Sequence, residues 1–153
     1  MTGGIATLVQ IAVPFIWLGL VLAISFLEAP LKFRAPGVTV PLGLGIGRLV
    51  FRALNAGERG LAVALTAALT AAMFADQAGG SGRVVLGALI ALWAVLMGQV
   101  VVLRPRLDRR TRRILAGQTP PRSHLHLTYI TLEAAKVVLL AVLGSLFVTR
   151  VAA

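Results

Sequence analysis

The sequence predicts an all-α, polytopic integral membrane protein. The expected architecture is a bundle of four transmembrane helices forming a single domain over residues 1–153, with both termini extracytoplasmic. Hydrophobic residues make up 58% of the chain and charged residues only 13%. Mean hydropathy is +0.92, beyond the range of ordinary soluble domains. The apolar residues also fall in runs of membrane-spanning length, separated by short basic segments.

Ile5 to Leu27 is apolar apart from Thr7, Gln10 and Ser25. At about 1.5 Å per residue such a helix crosses a hydrocarbon core of about 30 Å, so residues 5–27 form span one. No Lys or Arg precedes it, so it lacks the positive flank of a signal peptide and is expected to stay as an uncleaved helix. Residues 28–52 form a first basic connection.

Span two, residues 53–75, is less uniform. Its uncharged part, Gly60 to Ala75, is short for a bilayer and draws on "GRLVFRALNAGERG" before it. There Arg48, Arg52, Asn55 and Arg59 recur at spacings of four, three and four, on one face of a helix. Pro41 is placed to open that helix. From there to Phe74 the helix would measure roughly 50 Å, so part of it lies outside the hydrocarbon core. Either it projects into water, or Gly57 and Gly60 break it into an interfacial piece and a span.

Residues 84–103 form span three, residues 104–126 a second basic connection containing "RPRLDRRTRR", and residues 127–148 span four. No repeat is evident at a fixed period, although each half has the layout of span, basic loop, span. Eleven Lys and Arg residues lie in the connections after spans one and three, and Arg59 near the start of span two makes twelve at that end, against only Arg83 and Arg150 on the other side. Both connections are therefore expected in the cytoplasm. Arg48, Arg52, Arg59, Arg104, Arg106, Arg109, Arg110, Arg112 and Arg113 read as topogenic residues facing lipid headgroups, with anionic headgroups as partners.

Span four is not uniformly apolar. His126, Tyr129, Glu133 and Lys136 fall within a sector of roughly 80° on a helix, and Leu140 and Gly144 continue the stripe. A charge at the bilayer centre costs about 2.5 to 3.5 kcal/mol on insertion scales, so the stripe should face other helices or water. Glu133 and Lys136, three apart, can pair. Removing Lys136 alone should then destabilise the protein, and removing both should restore much of the loss. Glu28 at the end of span one and Gln99 in span three lie at the same end. The candidate site is thus a buried polar cluster of Glu28, Gln99, His126, Tyr129, Glu133 and Lys136, with Ser123 as N-cap of span four.

Several chemistries are not expected. The chain has no cysteine, which removes disulfides, thiolate metal sites and thiol nucleophiles. His124 and His126 lie about 200° apart on a helix, so no metal site is expected, and neighbouring histidines do not supply facing haem ligands. Ser123, His126 and Glu133 lack a nucleophile elbow. "GLGIG" at Gly43 to Gly47 lacks the strand and lysine of a phosphate loop and suits close helix packing. No cofactor is expected. The net charge of +10 is spent in the connections, and no groove-reading or stacking motif accompanies it, so nucleic acid is not an expected partner.

"FLEAPLKFRAPG" followed by "GRLVFRALN", and "GQTPPRSHLHLTYITLEAAKVVLL" after a basic loop, resemble small bacterial four-helix membrane proteins. They are also similar to the DUF4149/TMEM205-like group through Ala29, Pro30 and Phe33, with Phe51 on the next helix. The resemblance covers most of the chain and implies an all-helical protein of the bacterial inner membrane, without implying a reaction. The expected function is transport or channel-like handling of a proton, ion or small polar solute, in a homo-oligomer or with a membrane-protein partner. The alternatives are a non-catalytic scaffold or accessory subunit and, more remotely, an intramembrane enzyme acting on a lipid or quinone through His126 and Glu133.

Overall fold

A computed structural model describes residues 2–74, 82–118, 121 and 123–152. The last residue assigned to span two and Arg122 of the second connection lie outside the described residues. Among the described residues, all regular structure is helical, in four long helices. Helix α1 is Thr2–Val21, continued without a break by a π-helical stretch Leu22–Glu28, a single α-turn Ala29–Leu31 and a 3-10 turn Lys32–Arg34. Helix α2 is Val40–Phe74. Helix α3 starts as Gly82–Met97, passes through a π-helical stretch Gly98–Leu103 and runs on as Arg104–Leu115. Helix α4 is Leu125–Ala152.

The segments expected as connections are mostly helix. Only residues 35–39 join α1 to α2, and only residues 116–124 separate α3 from α4. Gly37 (φ 79°) and Gly117 (φ 77°) make the turns, in a left-handed conformation that suits glycine. Pro41 is the second residue of α2, where its missing N–H leaves no helical bond unmade. Gly57 and Gly60 do not break α2: a Cβ at either would meet open space, and their backbone stays in the helical ladder.

Each π-helical stretch ends two residues before a proline, Pro30 or Pro105, whereas Pro14 lies within regular α-helix. A proline lacks an N–H, and its ring pushes against the carbonyl four residues earlier. Pro30 acts in this way on Phe26, and Pro105 on Val101, each within a π-helical stretch. The wider turn accommodates the ring and re-aims the side chains beside it. Ser25, Gln99 and Leu103 are the residues buried there.

Helix α1 packs along α2 and α4, and α3 packs on α4 and, through both Gly82–Met97 and Arg104–Leu115, on α2. This ring leaves α2 and α4 facing each other across the bundle. The core fills the end nearer the chain termini: Val13 and Trp17 of α1, Leu65 of α2, Leu89 and Leu92 of α3, and Leu140, Leu143 and Phe147 of α4. Gly144 lets α1 approach there, because a Cβ would stand 2.8 Å from the Phe15 ring. The outer faces are apolar as well, exposing Ile16, Ile90 and Val138. Three helices are long and apolar enough to cross a membrane: Gly4–Arg34, Gly82–Leu115 and Leu125–Ala152. Helix α2 is not among them. It carries Arg48, Arg52, Glu58 and Arg59 in one stretch.

Candidate functional site

At the middle of the bundle, next to the apolar core, lies a charged cluster with no exposed surface. Glu58, Gln99, Glu133 and Lys136 are each 0% exposed. Lys136 Nζ donates to Glu133 Oε1 at 3.1 Å, the pair that the spacing of three predicts. It also donates to Glu58 Oε1 on the facing helix. Trp17 Nε1 donates to the same Glu58 oxygen at 2.9 Å, and Gln99 Nε2 donates to Glu133 Oε1 at 3.0 Å. One turn before Glu133 on α4, the buried Tyr129 hydroxyl donates to Asn55 Oδ1 at 3.3 Å. All four helices contribute to the network.

Two carboxylates thus share one ammonium. If all three groups are ionised, the cluster holds one negative charge more than it compensates. Its hydrogen bonds are also lopsided, because each carboxylate receives donors on Oε1 alone. Among the described residues, Glu58 Oε2, Glu133 Oε2, Gln99 Oε1 and Asn55 Nδ2 are buried without a hydrogen-bond partner. Burying such groups unpaired costs about 1–3 kcal/mol each, and more where they are charged.

A cleft of about 420 Å³ reaches Glu133 from the end opposite the core. It runs between the last turns of α1, the first turns of α2, the Arg104–Leu115 part of α3 and the start of α4. Phe26, Phe33, Phe51 and Ile130 form its walls, and Lys32, Arg48, Arg104, Asp108 and His126 line it nearer the mouth. Gly43 and Gly47 allow this geometry. A Cβ at Gly43 would overlap the Phe33 ring, and one at Gly47 would stand 2.9 Å from Lys32 Nζ. Phe51 meets Tyr129 edge-on, with ring centroids 5.4 Å apart.

Of the six residues predicted to cluster, Gln99, Tyr129, Glu133 and Lys136 come together. Glu28 does not join them: it is half-buried and pairs with Lys32 at 3.1 Å. Residues expected to be buried include His126, which is exposed at the cleft. It precedes Tyr129 by nearly a turn, and there the neighbouring helices no longer cover α4. Ser123 Oγ accepts from the Leu125 N–H at 3.2 Å, at the start of α4.

The arginines divide. Arg52, Arg59, Arg106, Arg109, Arg112 and Arg113 are exposed, whereas Arg48, Arg104 and Arg110 are half-buried. Arg104 Nη2 donates to the Arg48 carbonyl at 2.9 Å, Arg48 Nε stands 3.5 Å from Asp108 Oδ1, and Arg110 donates to the Pro121 carbonyl. The face shared by Arg48, Arg52, Asn55 and Arg59 is split, with Asn55 buried and Arg52 and Arg59 outward.

Glu58 and Trp17 escape the reading of single spans. Glu58 lies within residues 53–75 assigned to span two but before its uncharged part, and is not among the residues expected to cluster. A signal was nevertheless present: the buried line Asn55, Glu58, Ala62, Leu65 follows spacings of three and four, and Glu58 is its one acid. Glu58 and Glu133 also stand equally far, 28 residues, beyond Pro30 and Pro105. The two halves therefore bring corresponding carboxylates to Lys136, which only the second half supplies. Among the described residues, no group of three or more His, Cys, Asp and Glu residues is placed to hold a metal ion. Comparison with known proteins returned no match among family models, curated proteins or solved structures, so the family resemblance is carried by the quoted strings alone.

Proposed function

We propose that the chain is a four-span protein of the bacterial inner membrane, with both termini outside the cytoplasm, that handles a proton, ion or small polar solute in a transport or channel-like role. In this reading α2 crosses the bilayer with its charged first half at headgroup level and with Glu58 covered by the other three helices. The cleft then opens toward the cytoplasm.

One observation carries the reading: two buried carboxylates share one lysine beneath a cleft that reaches one of them. Uptake of a single proton cancels the surplus charge and supplies a donor where carboxylate oxygens lack one. The groups facing the two acids come from the other helices as well as their own: Trp17 of α1 and Lys136 of α4 on Glu58, and Gln99 of α3 with Tyr129 and Lys136 of α4 on Glu133. Beyond the cluster the apolar core closes the path, so passage through the protein requires a second conformation. In proteoliposomes enclosing a pH-sensitive dye, the wild type is expected to dissipate an imposed pH gradient faster than protein-free vesicles. Glu133→Gln and Glu58→Gln should abolish the difference while remaining folded. Wild-type flux in both variants sinks the proposal.

A second reading, a scaffold whose polar cluster fixes helix rotation, is favoured by the same network's hydrogen bonds to all four helices. It predicts no flux in any variant.

A further inference from the structure

The mouth of the cleft has a different chemistry from its floor. Lys32, Arg48 and Arg104 line it from three helices. Against them stand Asp108 beside Arg48 and Glu28 beside Lys32, so one cationic charge is left over, with exposed Arg52 near Arg104 adding to it. Arg48 is the least engaged of the three. Its side chain is 28% exposed, and its Nε, though 3.5 Å from Asp108, makes no hydrogen bond among the described residues. A guanidinium presents five N–H donors in a planar fork that matches the two oxygens of a carboxylate. The bond from Arg104 to the Arg48 carbonyl brings a second fork beside the first.

The walls, in contrast, are carbon: Phe26, Phe33, Leu44, Phe51 and Ile130. An organic cation finds little there, because Lys32 Nζ already lies 5.6 Å from the centroids of both the Phe33 and Phe51 rings. The volume of about 420 Å³ suits a small molecule.

We propose that the cleft binds a small amphiphilic organic carboxylate, its charged group held by Arg48 and Arg104 and its apolar body against Phe26, Phe33 and Phe51. This rests on the solute-handling reading of the site and adds the substrate class: a weak acid, whose anion fits the mouth and whose proton matches the surplus negative charge at the floor.

The test is equilibrium binding of radiolabelled 1-naphthoate to the full chain in nanodiscs of zwitterionic phosphatidylcholine, with empty nanodiscs as blank. Saturable binding to one site is expected, with no saturable binding of 1-naphthylmethylammonium, which has similar size and opposite charge. Arg48→Gln should weaken binding about tenfold to a hundredfold, the loss of a charge-assisted contact. Phe51→Ala leaves every charge in place and should weaken it about tenfold. Thermal melting confirms that each variant is folded. Failure of naphthoate to saturate the folded wild type overturns the proposal, as does equal binding of the cation or an unchanged affinity in both variants. Displacement of naphthoate by anionic phosphatidylglycerol in the nanodisc assigns the mouth to a lipid headgroup and also overturns it. No proton flux is read here. Loss of naphthoate binding with Glu133-dependent flux intact removes this inference alone, and the reverse result removes only the proton-handling reading.

Discussion

At the scale of single residues, Lys136 is the cation on which the interior depends. Its removal would leave two buried carboxylates without a counter-charge. Lys136→Met is expected to destabilise the solubilised protein by about 3–5 kcal/mol, the cost of breaking a buried ion pair, and hence to lower its melting temperature sharply. Sequence spacing alone predicts that adding Glu133→Gln restores most of the loss. The structure corrects this, because Glu58 remains charged and unpaired in that double variant. Recovery should require Glu58→Gln as a third change. Glu58→Gln by itself leaves a one-to-one pair and should melt no lower than the wild type. A double variant as stable as the triple would show that Glu58 is not coupled to Lys136. The glycines divide in the same local way. Gly43→Ala forces Phe33 to move and should cost about 1–3 kcal/mol, whereas Gly60→Ala, facing open space, should gain up to about 1 kcal/mol from helix propensity. The two melting curves should shift in opposite directions.

At the scale of elements, the π-helical stretches adjoin Pro30 and Pro105 and one of them serves the site. The stretch Gly98–Leu103 carries Gln99 to 3.0 Å from Glu133. Replacing Pro105 with Ala restores an N–H and removes the ring's push on the Val101 carbonyl, so that turn is expected to tighten toward an α-helix. Amide hydrogen exchange should slow across residues 98–103 in Pro105→Ala, and Gln99 should lose its contact with Glu133. Unchanged exchange there would mean that the π geometry has another cause. The long helices show the converse. Helix α2 runs through Gly57 and Gly60 because neither requires a special backbone angle, and a glycine in a helix lowers stability without by itself ending it.

At the scale of the whole molecule, the apolar core and the cleft occupy opposite ends of the bundle, with the charged cluster between them. The uneven distribution of Lys and Arg places the cleft end in the cytoplasm under the proposed orientation. Because the chain has no cysteine, single cysteines report this directly. In intact cells an impermeant thiol reagent should label Gly82→Cys, at the start of α3, and spare Gln118→Cys, in the turn between α3 and α4. Preferential labelling of Gln118→Cys would invert the orientation and turn the cleft to the outside.

The sequence by itself determined what is local or compositional. Apolar runs gave the long helices, and a spacing of three residues the contact between Glu133 and Lys136, since neighbours on one helix face meet wherever that helix goes. Tertiary structure decided the rest. Glu58 meets Lys136 across 78 residues of chain, and Trp17 meets Glu58 across 41. Such contacts depend on the rotation and crossing of packed helices, which no single helix specifies. For the same reason Glu28 and His126 lie outside the cluster: Glu28 is held by Lys32 on its own helix, and His126 is exposed where the bundle opens into the cleft.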